Sequence, residues 1–185
     1  INGFEISNEK DQELHEIAAI KWFNEELKLK ISAINDAFDK FKISEALMIT
    51  YKLVWDDFCS TFLEIVKPKF GEKISQKIIL EINSLFNKIL AILHPFMPFI
   101  SSEIHSKSIH KDQNLEWPKS SNADNKIIGN FEHVNELITK IRNFKKTNSI
   151  GFKDSIKIYY HNKILNHELK SCLLYTSDAA DEVRR

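Results

Sequence analysis

Leu14-His-Glu-Ile-Ala-Ala-Ile-Lys-Trp-Phe-Asn-Glu-Glu-Leu-Lys-Leu-Lys-Ile-Ser-Ala-Ile-Asn-Asp-Ala-Phe38 runs without a glycine or proline. Leu14, Ile17, Ile20, Phe23, Leu27, Ile31, Ile34 and Phe38 recur in steps of three or four, the period that lines one face of an α-helix. A stripe of about seven turns needs partner elements to bury it, since a helix hides its apolar side only against another layer. The side chain of Asn8 is suited to cap the first turn, so the spacing predicts a helix beginning near Asn8.

Partners of matching period follow directly. From about Ser44, Leu47, Tyr51, Val54, Phe58, Phe62 and Ile65 continue the helical spacing until Pro68, whose missing N–H and ring clash end it. From about Ile74, a third series runs through Ile78, Ile82, Leu85, Ile89 and Leu93. It stops at His94-Pro95, because the residue before proline is pushed out of the helical region. Pro98 suits the first position of a short fourth helix through Phe99, Ile100 and Ile104. Only 4 Gly and 4 Pro occur, too few turn formers for many short strands.

Residues 110–126, with Asp112, Asn114, Pro118, Ser120, Ser121 and Asn122, read as a surface connection. Phe131, Val134, Leu137, Ile138 and Ile141 predict a further helix ending in the basic run Lys140, Arg142, Lys145 and Lys146, with a turn over Asn148 to Gly151. Ile156, Ile158 and Tyr160 then alternate with Ser155, Lys157 and Tyr159, the period of a half-buried strand. The expected class is therefore all-α: an antiparallel helix bundle over 1–118, followed over 119–171 by a linker, a helix and a strand that begin a small α/β element. Cys172 to Glu182 resembles a sequencing adapter translated in frame, so 172–185 is set aside as a non-native tail on a truncated reading frame.

Charge narrows the function classes. Lys+Arg and Asp+Glu both number 26, so contact with nucleic acid has to come from local patches and not from a basic whole. Residues 1–120 carry 15 basic and 18 acidic side chains, and 121–170 carry 9 and 5. The two cysteines, Cys59 and Cys172, form no C-x-x-C pair, which argues against a disulfide framework or thiolate zinc and suits a reducing, cytoplasmic setting. No apolar run reaches the ~20 residues of a membrane span. His105 and His110 stand five apart, off the spacing that places two ligands on one helical face, so no metal is expected. Cys59, with no histidine near it in sequence, reads as a small buried side chain.

The second helix carries a resemblance. Its block Trp55-Asp56-Asp57-Phe58-Cys59, with Leu63-Glu64 and Lys67-Pro68, resembles the anticodon-binding domain of the valine–tRNA ligases, which are class I aminoacyl-tRNA synthetases. Leu93-His94-Pro95-Phe96-Met97-Pro98-Phe99-Ile100, with Glu103-Ile104, is similar to a segment shared by the valine, isoleucine and leucine enzymes. On that second motif alone, an isoleucine– or leucine–tRNA ligase is the alternative. Ile138 to Asn143 resembles the start of the small α/β element that follows the bundle in valine enzymes. The likeness covers about 14–170 with three departures: Thr61-Phe62 where the family has Trp-Tyr, Ser101-Ser102 where it has Thr-Glu, and His105 where it has Trp.

The resemblance implies a cytoplasmic, monomeric parent enzyme that uses ATP and Mg²⁺ to attach valine to tRNA, with this region contacting the anticodon stem-loop. It implies no catalytic residue and no cofactor here. The family's H-I-G-H-like and K-M-S-K-S-like motifs are absent from these 185 residues, and Lys69-Phe-Gly-Glu-Lys-Ile-Ser75 is only superficially like the second.

An anticodon loop offers unpaired bases to stack and hydrogen-bond, and phosphates to neutralise. Lys42, Lys52, Trp55 and Asp56, with Lys67 at the far end, are the expected tRNA-binding residues. Each has an ordinary reading beside it. Trp55, next to the Tyr51–Val54–Phe58 seam, reads first as a core or boundary packer, and Lys42 and Lys52 equally as solvated surface. Asp56 and Asp57 diverge by ~100° on a helix and make a poor catalytic pair. His94 reads as a cap for the broken third helix, and the 140–146 run as either a backbone contact or a match to its helix dipole. A rival of another class is a helical protein-interaction module with an exposed apolar groove.

Overall fold

The computed structural model describes residues 6–7, 13–68, 72–108, 114–151, 154 and 168–171. Asn8, the alternating stretch 155–160 and the tail 172–185 lie outside them.

Helix α1, Leu14–Asp39, starts at the first residue of its apolar stripe and so later than a cap at Asn8 predicts. Glu13, in extended backbone, is its N-cap: Glu13 N–H donates to Glu16 Oε2 at 2.8 Å, and the Glu13 carboxylate accepts from the N–H at the third helical position. This reciprocal pair satisfies two of the donors that a helix start leaves open, so the helix begins where a box closes and not at the first polar residue. Ahead of it, Ile6–Ser7 (β1) pairs in parallel with Ile74–Ser75 (β2), Ile6 opposite Ile74. That pairing takes the residues expected to open the third helix, which instead begins after Ser75.

At its other end α1 closes by Phe41 N–H to Phe38 O (2.9 Å) and Lys42 N–H to Ala37 O (2.8 Å), with Phe41 in the left-handed region at φ 57°. The chain then turns directly into α2, Ile43–Lys52, and continues through a π-helical segment, Leu53–Phe62, into α3, Leu63–Val66, which Lys67 and Pro68 end as expected. The buried face of this column differs from the expected stripe. Leu47 is 49% and Tyr51 57% exposed, and the core takes Ala46, Thr50, Leu53, Phe58 and Phe62. The cause is the wider π turn, whose i→i+5 hydrogen bonds turn the five-residue step from Leu53 to Phe58 into one revolution. Ser60 Oγ donates to Trp55 O (2.8 Å) and Thr61 Oγ1 to Asp56 O (2.9 Å), both five residues back. Thr61 thus has a local use where the family carries Trp.

Helix α4, Gln76–Leu93, breaks at His94-Pro95 as expected, and Pro98 opens α5, Pro98–Ser106. The His94 ring does not cap α4. Its Nδ1 lies 2.9 Å from Ser101 Oγ, whose own hydroxyl donates to Met97 O at 2.9 Å, so the imidazole N–H is the donor and the ring ties α4 to α5. Ser101 is buried, and its contacts use only the hydroxyl that the family's Thr also carries.

The core centres on Phe23 of α1, stacked on Phe62 (4.8 Å between centroids) and tilted against Phe58 (5.5 Å), with Phe86 of α4 beyond Phe58 at 5.9 Å. On another side of α1, Trp22 stacks on Phe131 of α6, Asn125–Thr147, at 4.1 Å and 9°. Phe131, Val134, Ile138 and Ile141 therefore join the same core, as does Leu169. Asp124 caps α6, accepting from Lys126 N–H and Ile127 N–H, while its own N–H donates to Glu25 Oε2 at 2.8 Å. The Lys28 ammonium, 2.7 Å from Glu25, together with that N–H, holds the Glu25 carboxyl below the usual range. Trp117 Nε1 donates to Asn35 Oδ1 at 3.0 Å and pins the connection ahead of α6 onto α1. No helix of the described residues is long and apolar enough to cross a membrane.

Candidate nucleic-acid interface

The outward face of α2 and the π segment gathers side chains that the core rejects. Since Ala46, Thr50, Leu53 and Phe58 point inward, Met48, Tyr51, Lys52, Trp55 and Asp56 are left on the opposite side, all exposed. Positions three and four apart are neighbours on a helix, which makes Lys52 adjacent to both Trp55 and Asp56. Tyr51 and Trp55 lie parallel, centroids 6.4 Å apart and rings at 10°. Trp55 is 59% exposed, so it does not pack in the core and is not the core or boundary packer that its place beside the seam allowed. Cys59 is likewise exposed and not buried. What desolvation its thiol does undergo pushes the pKa up and keeps it protonated.

The remaining expected residues lie at the ends of this column. Lys42 is the exposed N-cap residue of α2 and pairs with Glu45 at 2.9 Å; that carboxylate raises the pKa of the ammonium. Lys52 is exposed and forms no ion pair among the described residues. Lys67 follows α3 at the far end, exposed. The structure thus brings Lys52, Trp55 and Asp56 together, sets Lys42 about ten residues and so ~15 Å along the axis from Lys52, and leaves Lys67 apart from both.

Asp56 and Asp57 diverge as their spacing requires. Asp56 faces out; Asp57 turns to α1, 3.7 Å from Lys30 Nζ, with Oδ2 buried and without a hydrogen-bond partner. Burial raises the Asp57 pKa to about 6 despite that ammonium, because Lys30 is held more closely, at 3.0 Å, by Glu26. Burial alone would lower the pKa of Lys30, but the Glu26 and Asp57 carboxylates outweigh it and hold it above its ordinary value. In the basic run of α6, Lys140, Arg142 and Lys146 are exposed while Lys145 is buried.

Tyr51 is the member of the face that sequence reasoning missed, by assigning it to the core. No signal in the sequence marks it, since Val54 stands an ordinary helical step of four before Phe58 and only the structure shows Leu53 in the core instead.

Residues 20–160 match the family model described as the anticodon-binding domain of tRNA ligase. The chain belongs to that family. Over 173 residues, 91% of the chain, it is 38% identical to a valine–tRNA ligase of Christiangramia forsetii. It is 35% identical over 147 residues, 76% of the chain, to one from Bacteroides fragilis strain YCH46, and 29% identical over 191 residues, 98% of the chain, to one from Parabacteroides distasonis. The chain covers 19%, 17% and 22% of those three proteins, respectively, about a fifth of their length. The column bearing Tyr51, Trp55 and Lys52 falls wholly inside the matched region.

Proposed function

We propose that this domain reads the anticodon loop of a valine tRNA as part of a valine–tRNA ligase whose other portions attach valine to that tRNA with ATP and Mg²⁺. The observation that carries this reading is the exposed parallel pair Tyr51–Trp55 with Lys52 and Asp56 beside it, inside a domain of the anticodon-binding family. Aromatic faces take unstacked bases, an ammonium takes the flanking phosphate, and a carboxylate accepts from a base amino group. Lys42 supplies a second phosphate contact once it exchanges Glu45 for RNA, and Lys67 a third beyond the far turn. In this reading 1–118 is the anticodon-reading unit and 119–171 the start of the element that follows it, in a monomeric, cytoplasmic parent.

Filter binding of the 185-residue chain with valine and non-valine anticodon stem-loops tests the reading. Tighter binding of the valine loop is expected, equal affinity removes the claim to valine, and preference for an isoleucine or leucine anticodon reassigns the domain within the class. A second reading, a helical protein-interaction module, is favoured by the exposed Leu47, Met48, Phe99 and Ile100. It predicts binding that salt does not weaken and that Lys42→Glu with Lys52→Glu leaves unchanged.

A further inference from the structure

A cleft of about 650 Å³ opens between α1 and α4 beneath the 114–121 connection, away from the outward face of α2. Its floor is apolar, from Leu27 and Ile31 of α1, both 2% exposed. One wall is Trp117, whose indole cannot swing because Nε1 is bonded to Asn35 and the ring packs against Phe38 at 5.8 Å. The opposite wall is α4, where Asn87 lines the cleft and its Oδ1, closed to solvent, has no hydrogen-bond partner among the described residues, so that a turn of this side chain toward the cleft lets it accept from a bound donor. Such an acceptor costs on the order of 1–3 kcal/mol while it stays unmade, so a group offering an N–H or O–H there is bound in preference to an apolar one.

The rim carries the charge. Lys88 and Lys119 line the cleft, are exposed, and form no ion pair among the described residues. Lys28 also lines it but is engaged by Glu25, and Glu116 is the one acid in the lining. An apolar floor, a fixed indole, a buried acceptor and two uncommitted ammonium groups together match one ligand chemistry: a flat heterocycle bearing N–H donors, joined to a phosphate. The size lies in the range of small-molecule sites.

We propose that this cleft binds a single nucleoside monophosphate unit, with the base over Leu27 and Ile31 beside Trp117, a base N–H donating to Asn87 Oδ1, and the phosphate on Lys88 and Lys119. The unit comes either from a nucleotide extruded out of the bound RNA, which rests on the anticodon-binding reading above, or from a free mononucleotide. The chemistry is the same, and the source is settled by experiment.

The test titrates the full 185-residue chain with each of the four nucleoside monophosphates and with inorganic phosphate, following the Trp117 indole N–H and the Asn87 side-chain amide by NMR. At least one nucleotide is expected to saturate these signals at least tenfold more tightly than phosphate. Asn87→Leu, and separately Lys88→Gln with Lys119→Gln, should weaken it at least tenfold. Nucleotide binding no tighter than phosphate, or unaffected by both cleft variants, overturns the proposal. A thermal melt accompanies each variant, and the lysine pair, being exposed, keeps the test open should Asn87→Leu fail to fold. If the cleft variants weaken both mononucleotide and stem-loop, the occupant is an RNA nucleotide; if mononucleotide alone, it is free nucleotide. If the chain binds mononucleotide but no stem-loop, the cleft stands and anticodon reading falls.

Discussion

Two adjacent carboxylates, Asp56 and Asp57, sit in opposite electrostatic surroundings, and the contrast can be measured. Asp57 has a folded-state pKa near 6 against an unfolded value near 3.8, so the native state binds the extra proton between those values. Stability from this group therefore rises as pH falls through 6 toward 4, and is absent above 6. Asp57→Asn is expected to stabilise the chain at pH 7.5 by on the order of 1–2 kcal/mol, the shift being discounted for partial solvation. The gain should vanish near pH 4, as denaturant unfolding at the two pH values would show; an equal effect at both contradicts the burial argument. Trp55, by contrast, lies mostly in solvent, so Trp55→Ala should change stability by less than ~0.5 kcal/mol. Under the proposed function it should nevertheless weaken stem-loop binding by ~1–3 kcal/mol, the cost of one lost base stack, read by filter binding. Glu45→Gln releases Lys42 from its surface pair and should tighten the same binding by up to about fivefold, since exposed pairs contribute up to ~1 kcal/mol.

The π segment is the element on which the interface turns. Phe62 is fully buried between Phe23 and Phe58, and Phe62→Ala should cost ~3–5 kcal/mol in denaturant unfolding by opening a cavity. Deleting Ser60 should return the column to α-helical winding, rotate Phe62 away from Phe23 and destabilise by a comparable amount; a melt that hardly moves would show that the wide turn is dispensable. The existence and ends of the helices were legible beforehand wherever a covalent cause fixes them. Pro68, Pro95 and Pro98 mark stops and starts because a missing N–H acts whatever the tertiary context. The start of α1 was not legible, since Asn8 and Glu13 are both plausible caps and only the partner Glu16 decides between them. The faces of α1 and α4 followed from periodicity, whereas that of α2 did not, because the wide turn over Leu53–Phe62 changes the phase between the turns on either side of it. With Phe58, Phe62 and Ile65 setting the phase, Leu47 and Tyr51, ahead of the wide turn, read as core residues though they are exposed. The polar ties Trp117–Asn35 and Glu25–Asp124 were also illegible, joining residues 82 and 99 apart with no local pattern to announce them.

Across the whole molecule the formal charge cancels, so attraction to RNA rests on a few placed lysines. If Lys42, Lys52 and Lys67 each neutralise one phosphate, the log–log salt slope of stem-loop binding should be about −2, and Lys42→Glu with Lys52→Glu should reduce it to about −0.7. A slope near −4 would mean that the α6 cations Lys140, Arg142 and Lys146 share the contact. The short parallel clasp between Ile6–Ser7 and Ile74–Ser75 has a mechanical corollary. It fastens Ile6 and Ser7 to the foot of α4, 68 positions further on. A tug on Ile6 is thereby delivered along α4, a stiff rod whose other tip bears the His94–Ser101 joint.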